Sequence, residues 1–221
     1  MKRILFFATV AVALLTAFAP GKDKKKSPGY EGKISYSMTY EDLPAELENY
    51  ASMLPKEMTM YIKGEQSRTE QASGMGTTIT IVDKKKKEIC ILMDMMGAKT
   101  AYKGSTDEMK DTTVKAKPEI KVTEETREIA GKKCSKVEIT YPGEDAEVVW
   151  VTKDMPSGLT RGFESLDGFP MEYTIKRSGM TILLTVTAVA EQKVSAEYFK
   201  VPDGYTVKPM SEMKNMMGGG K

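Results

Sequence analysis

Any chemistry this chain performs is done without histidine, because none of its 221 residues is one. Ser-His-Asp and Cys-His catalysis, zinc sites built on imidazole and the commonest general base are thereby removed. Carboxylates are abundant, but glycoside hydrolysis needs two of them set across a cleft in contrasting environments. Glu124/Glu125 and Glu144/Asp145 are instead adjacent in sequence, polar and turn-like, which is the pattern of solvated loops. Gly218-Gly219-Gly220 is followed by no helical pattern, so it is not a phosphate loop. Met210, Met213, Met216 and Met217 form a soft-ligand cluster with no other metal-binding residue type beside it. The expectation is a chain that is not an enzyme and needs no cofactor and no metal.

Cys90 and Cys134 form an even pair but no C-x-x-C motif, so thiol–disulfide exchange chemistry is unsupported. An oxidising compartment favours a disulfide between them. In a simple meander two strands would separate theirs, and strands about 4.8 Å apart then exceed the Cα separation of about 7 Å that a disulfide spans. Sequence alone leaves the pairing open. Lys84 to Lys87 lie between two strand-like runs, as solvated lysines at a hairpin tip do.

The N-terminus indicates that compartment. Met1-Lys2-Arg3 is a basic start, and Ile4 to Ala19 is an apolar run that ends at Lys22-Asp23-Lys24-Lys25-Lys26. This is the pattern of a secretory signal peptide, residues 1–21, with no cysteine at the cut to carry a lipid anchor. Removing it takes away two of the 33 basic residues and no acid, which leaves 31 basic against 31 acidic residues. A mature chain of zero net charge has no overall field to attract nucleic acid. Periplasmic or secreted localisation is expected, with no transmembrane segment in the mature chain.

The elements are mostly strands. Ile34, Tyr36, Met38 and Tyr40 alternate with polar residues, and Met58, Met60 and Ile62 repeat the pattern. Ile79/Ile81, Ile89/Ile91/Met93, Ile120/Val122, Val137/Ile139/Tyr141, Met171/Tyr173/Ile175 and Ile182/Leu184/Val186 follow. With weaker runs near 66–71, 99–103 and 146–153, about eleven strands are predicted. Pro44 and Pro55 bracket an amphipathic helix with Leu43, Leu47, Tyr50, Ala51 and Leu54 on one stripe. A short second helical turn is expected at 160–166.

The resulting fold class is mainly β, one antiparallel domain over 30–209 with both helices on its concave face. Residues 22–29 read as a disordered lead-in and 210–221 as a disordered Met/Gly tail.

No polar anchor converges on that face, but methionine is over-used there, and a flexible thioether adapts to varied apolar partners. The candidate ligand-binding residues are Leu47, Leu54, Met58, Met60, Ile62, Ile79, Ile91, Met93, Trp150 and Tyr173. For Trp150, the only tryptophan, core filling is the first role and cavity wall the second: Val148, Trp150 and Thr152 share one face, Val149 and Val151 the other.

Four segments carry a family likeness: I-A-G-K-K-C-S-K-V-E-I (129–139), V-V-W-V-T-K-D-M-P (148–156), L-D-G-F-P-M (166–171) and Y-F-K-V-P-D-G-Y (198–205). They resemble the LolA-like superfamily of bacterial envelope proteins, and most of all an uncharacterised branch, a domain of unknown function, common in Bacteroidetes-type bacteria. The resemblance implies a curved, half-open antiparallel barrel around helices. It also implies an envelope protein that carries or senses lipid-modified proteins and related amphiphiles. Where a sister group of exported proteins has G-L-P-G-L-I, this chain has L-D-G-F-P-M, so no role special to that group is carried over. The expected partners are a lipid, a lipoprotein or another envelope protein, with the chain itself a monomer. The alternative is an interaction protein with a filled core.

Ala19-Pro20-Gly21 places small residues at both positions required for cleavage, whereas a cut after Ala19 would be blocked by Pro20. N-terminal sequencing of the exported protein is expected to begin at Lys22. A start at Phe18 or an intact Met1 would contradict this.

Overall fold

The strand that organises the molecule is the first one, β1 (Glu31–Asp42), whose buried residues alternate from Gly32 to Tyr36. A computed structural model describes residues 29–109, 117–160, 162–163, 165–177 and 179–216. The expected signal peptide, the expected lead-in up to Pro28 and the end of the expected tail lie outside the described residues.

After β1 come α1 (Ala45–Glu48), β2 (Glu57–Lys63), β3 (Gln66–Ser73), β4 (Gly76–Asp83), β5 (Glu88–Met95) and β6 (Ala98–Ser105). Then follow β7 (Glu119–Ile129), β8 (Lys132–Thr140), β9 (Glu147–Thr152), β10 (Phe169–Arg177), β11 (Met180–Glu191), β12 (Thr206–Pro209) and α2 (Met210–Met216). The twelve strands form one open sheet in the order β12-β6-β5-β4-β3-β2-β1-β11-β10-β9-β8-β7. Two antiparallel meanders, β2–β6 and β7–β11, are thus joined by β1. Tyr36 faces Met58 on one side and Val186 on the other. The fold is mainly β, a curved half-open barrel with few helices. The twelfth strand, missed in the sequence, is short, contains Pro209 and runs parallel to β6.

Cross-strand register defines two faces. The inner face carries the main core: Ile34 and Tyr36, Met58, Met60 and Ile62, Val137 and Ile139, Val149 and Val151, Met171 and Tyr173, Leu184 and Val186. The connection between β9 and β10 folds over it, burying Met155 and Leu166 and setting Phe163 edge-on to Tyr173 at 4.8 Å.

Three expectations need correction. The 43–54 helix is only the four-residue α1 and a separate 3-10 turn at Ala51–Met53, and neither buries a residue. So short a helix is marginal without tertiary packing, and the β9–β10 connection occupies the inner face instead. The expected helix at 160–166 is a pair of turns, Phe163 to Thr160 and Leu166 to Phe163. The start of the supposed disordered tail forms α2, with Met210 and Met213 buried against Ile89 and Tyr102. Gly104 permits this contact, because a Cβ there would lie 2.6 Å from that of Met210. No helix among the described residues is long and apolar enough to cross a membrane.

The register also moves the cysteines apart. Cys90 on β5 and Cys134 on β8 have seven strands between them, not two, because β1 and its neighbours intervene. Both are buried and free. Thiol titration of the denatured, unreduced protein is expected to find two reactive thiols; a blocked pair would contradict the strand order. Met60 is 6% exposed and lies beside the Tyr36 hydroxyl at 3.9 Å. A carboxylate there would be buried without a cation, so Met60→Glu is expected to lower unfolding free energy by about 3 kcal/mol or more. A urea midpoint close to that of the wild type would show the inner face to be wet.

Candidate functional site

Register separates the residues that sequence pattern had grouped. Met58, Met60, Ile62 and Tyr173 do come together, in the inner core, where all are buried. Ile91 and Met93 lie on the same face farther along the sheet, beside α2. Ile79 pairs with Leu92, and Thr80 with Ile91, so Ile79 faces the other way. Leu47 and Leu54 are half-buried on the α1 segment.

Trp150 sits opposite Glu172 and Lys136 on the outer face, while Val149 and Val151 turn inward. It is half-buried and packs against the edge of the core. The Arg127 guanidinium lies 4.0 Å over its ring and pairs with Glu172, which also accepts from Thr185 Oγ1 at 2.9 Å. Trp150 therefore serves as packing and as a cation platform.

The inner core is closely filled around Tyr36 and Tyr173. Burial pushes both phenols up, so neither offers a base near neutral pH. Gln71 reaches into this layer, with its amide 3.4 Å from the Met58 sulfur. None of the ten candidate residues lines either of the depressions described next.

The larger depression, about 860 Å³, lies on the outer face where β3, β4, β5 and β6 end. Ile81, Cys90, Phe199 and Val201 line it, together with Ile89 from the strand edge. Its opposite wall is Phe199–Val201, and Phe199, Val201 and Tyr205 cover Ile79, Ile81, Leu92 and Ala101 on the outer face. The chain just before that wall is tied to the sheet. Glu31 accepts from the Val194 amide at 2.7 Å and from Lys63 at 2.9 Å, and these contacts hold its carboxyl below the usual range. Arg68, 9% exposed, donates to the Tyr198 carbonyl at 2.8 Å and pairs with Glu70 at 2.5 Å. The Tyr61 and Tyr198 rings meet at 4.7 Å, tilted 48° to one another.

Four lysines stand around the same depression: Lys86 and Lys87 from the β4–β5 turn, Lys103 from β6, and Lys200. Burial pushes the Cys90 thiol up, and the Lys103 ammonium opposes that shift. This thiol is therefore a weak nucleophile. A smaller groove of about 200 Å³ runs along the inner face at the β7 edge, between Ile120, Val122, Val137 and Leu166. Among the described residues no group of three or more Cys, Asp or Glu is placed to hold a metal ion.

The residues that sequence pattern missed are Ile81, Phe199 and Val201. The signal was present in Y-F-K-V-P, where apolar residues flank Lys200. What pattern lacks is any indication that this segment crosses back over β4–β6.

Among solved structures, PNGF-II matches with a TM-score of 0.51 and 16% identity, over 86% of this chain and 33% of that one. This chain thus spans about a third of PNGF-II, and the likeness is one of fold alone. The MucA/MucB complex of Pseudomonas aeruginosa matches at TM-score 0.46 and 9% identity, over 79% of this chain and 56% of that one. The lipoprotein LppX of Mycobacterium tuberculosis matches at 0.39 and 13%, over 73% and 88% respectively. No curated protein matches the chain. The alternating strands and their connections from α1 to Phe163 are covered by a family model, residues 45–163, and the chain belongs to that family, the domain of unknown function DUF4412.

Proposed function

We propose that this is a non-catalytic, exported envelope protein that binds an apolar or amphiphilic ligand as a monomer. The observation that carries this reading is the outer-face depression, about 860 Å³ with Ile81, Cys90, Phe199 and Val201 among its lining residues. Ligand sites are typically concave and largely apolar, with volumes of about 300–1,000 Å³. Val194 and Tyr198, just before the lining residues Phe199–Val201, are hydrogen-bonded to β1, β2 and β3. Burying ten methylenes of an acyl chain supplies roughly 8 kcal/mol gross at about 0.8 each, before association costs. The resemblance to LolA-like proteins, which implies amphiphilic ligands, supports the same reading. The inner face, the expected site, is occupied by the protein's own side chains and by the β9–β10 connection.

A second reading, an interaction protein acting through its sheet edge, is supported by one feature. Edge strand β7 presents Ile120 at 36% and Val122 at 62% exposure beside the smaller groove.

The neutral fluorescent probe N-phenylnaphthylamine discriminates between the two. The wild type is expected to bind it, and Val201→Asp, which sets a carboxylate beside the apolar lining, to weaken binding by about tenfold or more. Val201 is only half-buried, so the melting temperature should change little. No uptake by the wild type, or equal uptake by the variant, would remove the depression as the site.

A further inference from the structure

The charges around the depression are unequally committed. Lys86 stands 3.8 Å from Asp83, whose carboxylate also accepts from the Lys86 amide at 3.0 Å and from Gln66 at 3.1 Å. Lys200 is paired with Glu197 at 2.7 Å. Lys87 and Lys103 are exposed and have no acid partner among the described residues. Glu88, also on the rim and exposed, offsets only part of their charge. Glu108 also reaches this rim, accepting from the amide of the lining residue Ser105 at 2.8 Å, so what distinguishes Lys87 and Lys103 is that neither is held in an ion pair among the described residues.

The backbone at Lys87 adds an independent observation. Its φ is +57°, a region that glycine or asparagine adopts at lower cost than lysine. The β4–β5 turn holds it there: the Lys87 amide donates to the Lys84 carbonyl at 3.4 Å, and its own carbonyl accepts from Thr106 at 2.9 Å. Lysine does nothing to ease this turn. It contributes a cation at the mouth of an apolar space. Lys103 lies directly across the ladder from Cys90, one of the lining residues. Two ammonium groups, one on the β4–β5 turn and one on β6, thus flank a depression whose apolar lining is Ile81, Ile89, Cys90, Phe199 and Val201.

We propose that the ligand is an amphiphile with an anionic head, its tail lying on Ile81, Phe199 and Val201 and its carboxylate or phosphate held by Lys87 and Lys103. This rests on the reading that the depression takes an apolar chain. The tail supplies most of the affinity, and the two ammonium groups select the head. Charge-assisted hydrogen bonds beside a low-dielectric floor are stronger than fully exposed ones and are weakened by salt.

Dansyl-undecanoic acid and its methyl ester test this, because they share a tail and differ in charge. At low salt the wild type is expected to bind the acid about tenfold tighter than the ester, the order for two partly exposed charge-assisted contacts. Lys103→Ala and Lys87→Gly should each bring acid and ester to within about threefold of one another, chiefly by weakening the acid. Lys87→Gly should also melt no lower than the wild type, since glycine fits the backbone there.

Equal binding of acid and ester by the wild type would overturn the anionic head while leaving the apolar reading intact. No binding of either would overturn both. Full displacement of the acid by inorganic phosphate would show a bare anion site and overturn the amphiphile. A Lys87→Gly protein that still discriminates fully would overturn the role of that lysine.

Discussion

Everything in this fold depends on the double ladder of β1. Its residues pair with β2 through Glu31–Ser37 and with β11 through most of the strand's length. Each half of the sheet is a local meander, and neither half closes a core by itself. Tyr36 stands between Val186 and Met58, and Ile34 between Val189 and Met60. Strand β1 is thus the row across which side chains of both halves reach one another. The same strand supplies Glu31, which anchors the segment that walls the outer depression.

That arrangement assigns different work to the two faces. Over β1, β2 and β8–β11 the inner face is a packed core and the outer face a solvated lattice of charges, including Lys136 with Glu125 and Arg127 with Glu172. Over β4–β6 both faces are covered, the inner by α2 and the outer by Phe199, Val201 and Tyr205. Where a sheet is covered on both sides, one cover can stop short and leave a gap floored by apolar side chains. The larger depression is such a gap, at the strand ends beyond Phe199 and Val201.

Much of this was legible in the sequence, in ways that particular residues explain. Period-two alternation located the strands, and it correctly placed Met58, Met60 and Ile62 together with Tyr173. Alternation within a strand says nothing about which face a neighbouring strand shares, because hairpin register decides that. Ile79 and Ile91 look equivalent in sequence and point in opposite directions in the sheet. The unbroken apolar run Ile89-Cys90-Ile91-Leu92-Met93 was the sign of burial on two faces. The helix expected at 43–54 had a stripe, but the segment only half-buries Leu47 and Leu54 and buries no residue fully. The helix that does form, α2, has only Met210 and Met213 to bury, at a spacing of three, which is too weak a pattern to read unaided. The covering segment 194–205 has no periodicity that announces its path.

The two ends of the sheet are unlike each other. At one end β12 is four residues long and finishes in Pro209, which has no amide to donate. At the other, β7 runs for eleven residues with an open side, and six of them are charged: Glu119, Lys121, Glu124, Glu125, Arg127 and Glu128. Growth of a fibre by strand addition needs two receptive edges on every molecule, one to be captured and one to capture. Among the described residues only β7 offers a long open edge. Edge-to-edge association of β7 with β7 of a second copy uses up that edge on both molecules and ends at a pair.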